Sequence, residues 1–375
     1  MADLKSARAQ VQRARLSEDK SGKELKSYDY QGREQHKDSM LRHGLLISES
    51  MTPLLEKHIK KICERLLIPR RSVTAFVFND ADVQADCVID SPDSCILRFT
   101  SGLVNLMNEK EFQFVVAHEL GHFLLGHGAC CSKYIGADAA EGFMTQRARE
   151  LSADRIGFLG VDDLDESIKA IIKTASGLGD EFLRFDVSSF MTQTKMLSNP
   201  SKGESRNSTH PSMLIRCRAI LWFAMSVSSL QDFKKTPDSV ILDIDKKVTK
   251  DLEKFVDGQV RADKQELVDD IALWKLCLLI ISEGKFKKEI QDYLAVELGL
   301  GSLNALKSFF ESHSTEELEK EANIRLNSIV ASAYKEFPSS ADDIETAGIK
   351  RAYKIMGLDF FENRKEVLTQ LVKKH

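Results

Sequence analysis

Long apolar runs are missing from this chain of 375 residues. The two longest, at 219–227 and 276–281, are far shorter than the ~20 residues that a membrane-spanning helix needs. The first residues, which begin Met-Ala-Asp-Leu-Lys, lack the apolar core of a secretory signal. We therefore expect a soluble, cytoplasmic protein without a transmembrane segment.

A strong net charge is missing as well. The formal net charge is −4 at pH 7, which gives no electrostatic reason to expect nucleic acid as a partner. The seven cysteines are odd in number and scattered, so we expect reduced thiols and no disulfide framework. The composition that is present, 42% apolar and 29% charged residues, is typical of a globular protein with a sizeable core.

One stretch carries a clear chemical signal: His118-Glu119-Leu-Gly-His122, flanked by apolar residues at helical spacing. Because positions i and i+4 of a helix share a face, His118 and His122 can bind one metal ion from the same side. Glu119 is turned about 100° away and remains available to take a proton from a metal-bound water. Asn108 and Glu111 predict a capping box at the start of this helix.

The alternative to a metal site is a pair of core histidines whose ring nitrogens are hydrogen-bonded to other protein groups. With nine histidines in the chain, chance places this pattern in roughly 1% of such sequences. Burying two imidazoles on an otherwise apolar helix also costs free energy unless their nitrogens have a polar or metal partner. The pattern therefore favours a metal site.

A third ligand is expected from Glu150-Leu-Ser-Ala-Asp154, again an i, i+4 pair on a predicted helix. Glu150 would complete a His2Glu set for one zinc ion per chain. Asp154 would accept a hydrogen bond from a ligand histidine and fix its tautomer. Such a pair of acids alone usually marks a solvated helix face, but its position downstream of the two histidines favours the site.

Two other ligand candidates are less favoured. His127 does not match the metzincin pattern, because Leu125 and Gly128 stand where that pattern needs Gly and His. We interpret His127 as a helix-end residue whose positive form suits the C-terminal dipole. A thiolate from Cys130 or Cys131 is disfavoured, since thiolate ligands are typical of structural zinc sites.

Four ordered motifs together resemble the M48 zinc metallopeptidases, the family of the CaaX prenyl-protein peptidases and HtpX-like membrane proteases. The resemblance covers roughly residues 55–225. The motifs are Thr100-Ser101-Gly102-Leu103, His118-Glu-Leu-Gly-His122, Glu150-Leu-Ser-Ala-Asp154-Arg155, and Thr209-His210-Pro211 with Arg216 six residues after the histidine.

The resemblance implies two further site residues. His210 would donate a hydrogen bond to the oxyanion formed at the zinc, although a histidine in a polar loop is otherwise a surface residue. Arg216 would pair with a carboxylate of the site. The family usually has an Asn-Ala-Phe-like strand segment that contacts the substrate backbone. Here the equivalent stretch reads Ala85-Asp86-Cys87-Val88, so the resemblance does not extend to substrate choice.

We predict an α+β, mainly α fold, with a zincin-like domain, a small β-sheet and a C-terminal all-α domain. Alternating residues over 73–78 and short strands over 86–90 and 95–100 predict the sheet, whose exposed edge can pair with an extended substrate. Three parts are expected. Residues 1–40 form a charged, solvated arm, 41–235 the M48-like peptidase domain, and 240–375 a helical accessory domain that binds a partner.

The sequence thus predicts zinc-dependent hydrolysis of peptide bonds by a metalloendopeptidase, with Glu119 activating the zinc-bound water. Its substrate would be a peptide or protein. The alternative is a latent or non-catalytic, zinc-stabilised interaction protein that works through its helical C-terminal domain. The presence of Glu119 favours the enzyme, because a structural zinc site has no use for a carboxylate there.

Overall fold

The chain folds into helices and one small sheet, as a computed structural model shows for residues 3–17, 19, 33–127, 140–184, 186, 189–190, 192–193 and 210–358. Two compact units are present, Met1–Asp138 with Gly142–Gly258, and Ala139–Glu141 with Gln259–His375. The predicted α+β, mainly α class is confirmed. No helix in the described ranges has the length and apolar character needed to cross a membrane.

The strands lie between residues 45 and 100, and helices occur throughout the described chain. The strands are β1 (Leu45–Leu46), β2 (Val73–Phe78), β3 (Ala85–Ser91) and β4 (Ser94–Thr100). The helices up to residue 252 are α1 (Leu4–Val11), α2 (Arg33–His43), α3 (Pro53–Arg65), α4 (Ser101–Leu106), α5 (Glu109–Leu125), α6 (Ala140–Val161), α7 (Leu164–Ser176), α8 (Met213–Ala224), α9 (Leu230–Lys235) and α10 (Asp238–Leu252). The later helices are α11 (Gly258–Glu283), α12 (Lys288–Glu297), α13 (Gly299–Ser312), α14 (Thr315–Glu336) and α15 (Ala341–Met356).

The four strands form a mixed sheet in the order β1-β2-β4-β3. β2 runs parallel to β4, and β4 pairs antiparallel with β3, so that β3 forms one edge of the described sheet. The three longer strands are those that the sequence predicts. β1 was not predicted, because two residues carry no alternation and the side chains of Leu45 and Leu46 are both largely exposed.

Helix α5 has clear start and stop signals. The backbone N–H of Glu111 donates to Asn108 Oδ1 (3.0 Å), and the N–H of Asn108 donates to Glu111 Oε2 (2.8 Å), which confirms the predicted capping box. The helix ends before Gly126, whose φ of 75° lies in the left-handed region that glycine tolerates. Because α5 is buried almost all round, its polar side chains need partners from other elements.

Small residues let α6 approach α5 closely. A methyl group at Gly160 of α6 would lie 2.4 Å from Cβ of Ala117 on α5, and one at Gly157 would lie 2.7 Å from the ring of Phe114. Gly121 of α5 likewise has α6 side-chain and backbone atoms within 3.4 Å of where its Cβ would be. This close contact allows side chains of α6 to reach the histidines of α5.

The N-terminal segment is packed against the first unit. Leu4, Val11 and Leu16 are buried in its core, and the backbone N–H of Leu16 donates to Ser152 Oγ (2.9 Å). The described part of the segment therefore differs from the predicted solvated arm. A few apolar residues are enough to pack this segment against the core, because they fall on one face of α1 and of the turn that follows it. Residues 1–2, 18 and 20–32 of that arm lie outside the described residues.

The first unit extends to Gly258, beyond the break predicted at 235–240. At that predicted break, Thr236 and Pro237 only separate α9 from α10. Helix α10 places apolar side chains in the same core, including those of Ile244 and Val248. Three aspartates in this region also pair with arginines of α6 and α8: Asp245 with Arg155, Asp251 with Arg218, and Asp257 with Arg147.

The second unit has its own apolar core, built from α11 to α15. Trp274 packs edge to face on Phe309, with ring centroids 4.9 Å apart, and the Arg325 guanidinium lies 4.7 Å from the Trp274 ring. Within the described residues, the one cluster of metal-ligating side chains lies in the first unit.

Replacing Gly160 by Ala is expected to lower the stability of the protein by about 1–3 kcal/mol, because the new methyl group must push α5 and α6 apart. Gly301→Ala is the matched control. Gly301 lies in α13, and a methyl group there would meet no atom within 4 Å. It should be neutral or stabilising by up to about 1 kcal/mol. Thermal and urea unfolding measure both, and equal effects would contradict the tight helix contact.

A chain truncated after Gly258 is expected to fold, whereas one truncated after residue 240 is not. The shorter chain loses core side chains of α10 and the carboxylates that pair with Arg147 and Arg155, which are almost fully buried. Soluble yield and a cooperative thermal transition distinguish the two. A well-folded 1–240 chain would restore the boundary predicted from the sequence.

Candidate metal and catalytic site

Three side chains from α5 and α6 converge on one point. His118 Nε2 and His122 Nε2 are 3.1 Å apart. The Glu150 carboxylate reaches both, with Oε2 3.5 Å from His118 Nε2 and Oε1 3.4 Å from His122 Nε2. The structure thus brings together the three ligands that the two i, i+4 patterns predict.

The separations suit a tetrahedral metal site. Zinc binds histidine nitrogen and carboxylate oxygen at about 2.0–2.2 Å, and a tetrahedron with such bonds has edges of about 3.3–3.6 Å. The two histidine nitrogens, 3.1 Å apart, lie close to that range, and each has one Glu150 oxygen near it, Oε2 at 3.5 Å from His118 and Oε1 at 3.4 Å from His122. Two imidazoles and one carboxylate are also the donor set of one class of catalytic zinc site. The residues present therefore fit zinc.

Burial and mutual contacts set the charges of these groups. Burial lowers the pKa of His122 well below its usual value and keeps the imidazole neutral, the form that binds metal. Burial acts in the same direction on His118, but contacts with Asp154 and Glu150 outweigh it and raise that pKa to about 10. Burial favours the protonated form of Glu150, yet the two histidines hold its pKa well below the usual value.

Glu119 lies beside this cluster and outside it, as its helical position predicts. Its side chain lines the same cavity and is buried. Burial raises the pKa of Glu119 to about 7; His118 opposes this shift, whereas Glu150 and Asp86 add to it. A cation held by the neighbouring ligands would instead favour the ionised carboxylate.

His118 is held from behind by Asp154. His118 Nδ1 lies 2.9 Å from Asp154 Oδ1. Arg216 of α8 then donates two hydrogen bonds to the same carboxylate, from Nη2 to Oδ1 (2.6 Å) and from Nε to Oδ2 (2.9 Å). Burial alone would raise the pKa of Asp154, but Arg216 and His118 lower it. The buried Asp154 is therefore an anion in contact with a predicted ligand histidine.

His127 is a buried partner of His122. The two Nδ1 atoms are 2.8 Å apart, and His127 Nε2 lies 2.8 Å from Asp19 Oδ2. Burial lowers the pKa of His127, which disfavours the positive form expected for this helix-end residue. After Gly126, the His127 ring points into the protein and is buried. No spacing rule links Asp19 to a helix about a hundred residues later, so sequence reasoning missed it.

A cavity of about 620 Å³ opens over the cluster. Residues 83–87, at the start of β3, form one wall, and His210 stands near the start of α8. The His210 side chain is 64% exposed, and its Nε2 lies 3.7 Å from Glu150 Oε1. It thus faces the cavity without belonging to the three-residue cluster. Thr209, Cys130 and Cys131 lie outside the described residues.

Comparison with known families agrees with this geometry. Residues 51–133 match the model of peptidase family M48. The match covers 83 of the 375 residues and supports an M48-like metallopeptidase. No curated protein matches the chain. The M48 stretch contains α3, the longer strands and α5 with His118, Glu119 and His122, which confirms the resemblance drawn from the sequence.

Family M48 implies metallopeptidase activity in general, and its members are generally zinc-dependent. The matched stretch ends before Glu150, Asp154, His210 and Arg216. The places of these four residues rest on the motifs and on the distances given above, and their roles remain predictions. Residues 85–88, which differ from the usual family segment, lie on β3 inside the matched stretch.

The Arg216–Asp154 pair offers a test with a matched control. Arg216→Lys keeps the charge but loses the paired hydrogen bonds, so we expect zinc affinity to fall by roughly 10-fold. Arg218 of the same helix donates two similar bonds to Asp251 (2.6 and 3.2 Å), and neither residue lines the cavity. Arg218→Lys should leave zinc affinity unchanged. Competition with a chelator measures both, and equal losses would show a general effect of weakening α8.

Proposed function

We propose that this M48 chain is a zinc-dependent metalloendopeptidase. His118, His122 and Glu150 would hold one zinc ion, and Glu119 would act as general base. The observation that carries the proposal is the joint placement of these four side chains. One ligand atom from each of three side chains lies within 4.8 Å of the other two, and an acidic side chain outside that set faces the same cavity.

Zinc in such a site supplies Lewis acidity and makes water acidic enough to lose a proton near neutral pH. Glu119 takes the proton from the water that attacks the peptide carbonyl. It then gives that proton to the leaving amine. Its buried position on α5 keeps the carboxylate at the cavity and fixes its distance from the reacting atoms.

Substrate is expected along β3. This strand is an edge of the described sheet, and its first residues line the cavity. An extended peptide can add to such an edge through main-chain hydrogen bonds, which places its carbonyl groups over α5. Asp86 of β3 is held by two hydrogen bonds from Arg98 of β4 (2.7 and 2.5 Å) and gives this wall a fixed polar surface.

His210 is proposed to donate a hydrogen bond to the oxyanion that forms during attack. Its exposed ring stands at the mouth of the cavity, 3.7 Å from Glu150, where a substrate carbonyl would enter. Arg216 acts through Asp154 and orients His118. Partner binding by the second unit, and a cytoplasmic location, remain predictions from the sequence.

Glu119→Gln is expected to keep the fold and the zinc but to lower peptide hydrolysis by at least about 10²–10⁴-fold, because the amide cannot accept the proton. Glu109→Gln is the matched control, since Glu109 is exposed on the same helix and does not line the cavity. A broad peptide library assayed with and without chelator measures hydrolysis. Metal analysis of Glu150→Ala, which should lose zinc, tests the third ligand.

Three outcomes would contradict parts of this function. Equal cleavage by wild type and Glu119→Gln would remove Glu119 as the general base. Full zinc occupancy in Glu150→Ala would remove Glu150 from the ligand set. A zinc-loaded wild type that cleaves no peptide would favour the latent or non-catalytic interaction protein.

A further inference from the structure

A chain of buried contacts runs from His122 to the N-terminal segment. His122 Nδ1 is 2.8 Å from His127 Nδ1, and His127 Nε2 is 2.8 Å from Asp19 Oδ2. The side chains of His127 and Asp19 are 3% and 0% exposed, so water does not replace either contact. The proposed metal ligand is thus connected to a carboxylate that lies 103 residues before it in the sequence.

Metal ligation would fix the position of every proton in this chain of contacts. An imidazole that binds a metal through Nε2 carries its proton on Nδ1, so His122 must donate to His127 Nδ1. His127 then carries its own proton on Nε2 and donates it to Asp19. This arrangement satisfies all three groups and leaves the Nε2 lone pair of His122 directed at the metal position.

The N-terminal segment is anchored so that Asp19 is held in place. The backbone N–H of Leu16 donates to Ser152 Oγ (2.9 Å), and that of Ser17 donates to Asp245 Oδ2 (3.1 Å). Arg15 lies 3.6 Å from Asp19, which balances part of its buried charge. Asp19 therefore offers a fixed hydrogen-bond acceptor to His127.

We propose that His127 and Asp19 are positioning residues for the metal ligand His122, and that the N-terminal segment and zinc stabilise each other's binding. The inference rests on the metal site proposed above. A carboxylate behind a ligand histidine fixes the ring and increases its basicity towards the metal. Here the effect passes through a second imidazole. By linkage, a segment that strengthens zinc binding is itself held more firmly when zinc is bound.

Zinc affinity of the full chain, measured by chelator competition, tests the positioning role. His127→Phe removes the acceptor for His122 and should weaken zinc binding by about 10–100-fold. Asp19→Ala should weaken it by about 10-fold, and the nearly isosteric Asp19→Asn by less. His127→Asn places an oxygen near the former Nδ1, so it should largely restore affinity.

A double variant separates this role from general destabilisation. In this proposal Asp19 acts on His122 through His127, so Asp19→Ala should cause no further loss in the His127→Phe or the His127→Asn background. Asp238→Asn is the matched control. Its carboxylate anchors the same segment through Arg13 Nε (2.6 Å) away from the cavity, and its loss should leave zinc affinity unchanged.

Limited proteolysis tests the reciprocal effect. Zinc should slow cleavage within the first 20 residues of the wild type by several-fold. It should give no such protection in His127→Phe or Asp19→Ala. These measurements need no substrate, so they do not depend on peptidase activity.

The outcomes distinguish the two proposals. Wild-type zinc affinity in His127→Phe, or additive losses in the double variants, would overturn the positioning role while leaving the metal site intact. A wild type that binds no zinc would overturn both. Loss of zinc from His122→Ala, together with weaker zinc binding by His127→Phe, would support both proposals.

Discussion

Burial of ionisable side chains is the constraint on which this structure depends. Helix α5 is enclosed almost all round, yet it carries His118, Glu119 and His122 on its inner surface. Polar groups buried in this way are costly unless other elements bring partners to them. Glu150 and Asp154 of α6 are those partners, and they reach the histidines because glycines at the helix contact allow the two backbones to approach.

The same constraint recurs further from the cavity. Arg147 and Arg155 of α6 are almost fully buried, and each is paired with an aspartate from the stretch after residue 237. Helix α10 and the π-helical turn Glu253–Asp257 therefore complete the first unit chemically as well as by apolar packing. In the sequence, the residues after 237 look like the start of a separate helical domain. In the structure, their aspartates neutralise the buried arginines of α6, the helix that carries Glu150.

Local patterns explain what the sequence could predict. The i, i+4 pairs, the capping box at Asn108 and the alternation of β2 each depend on a few neighbouring residues, and all three appear in the structure. The features that were missed depend on contacts between distant parts of the chain. Asp19 reaches His127, and α10 joins the first unit across more than ninety residues, so neither leaves a periodic signal. β1 was missed for the opposite reason, because two residues are too few to form a pattern.

The edge strand β3 has a consequence for self-association. An unpaired edge that can take up an extended peptide can also take up the same edge of a second molecule, which is a common route to aggregation. Charged side chains and irregular pairing are the usual safeguards. β3 has both, since Asp86 and Asp90 lie within it and its register with β4 shifts between Ile89 and Ser91. The segment that departs from the usual family sequence, residues 85–88, therefore carries an ion pair between Asp86 and Arg98 at this edge, and a second copy would have to bury that pair, which disfavours edge-to-edge stacking at high concentration.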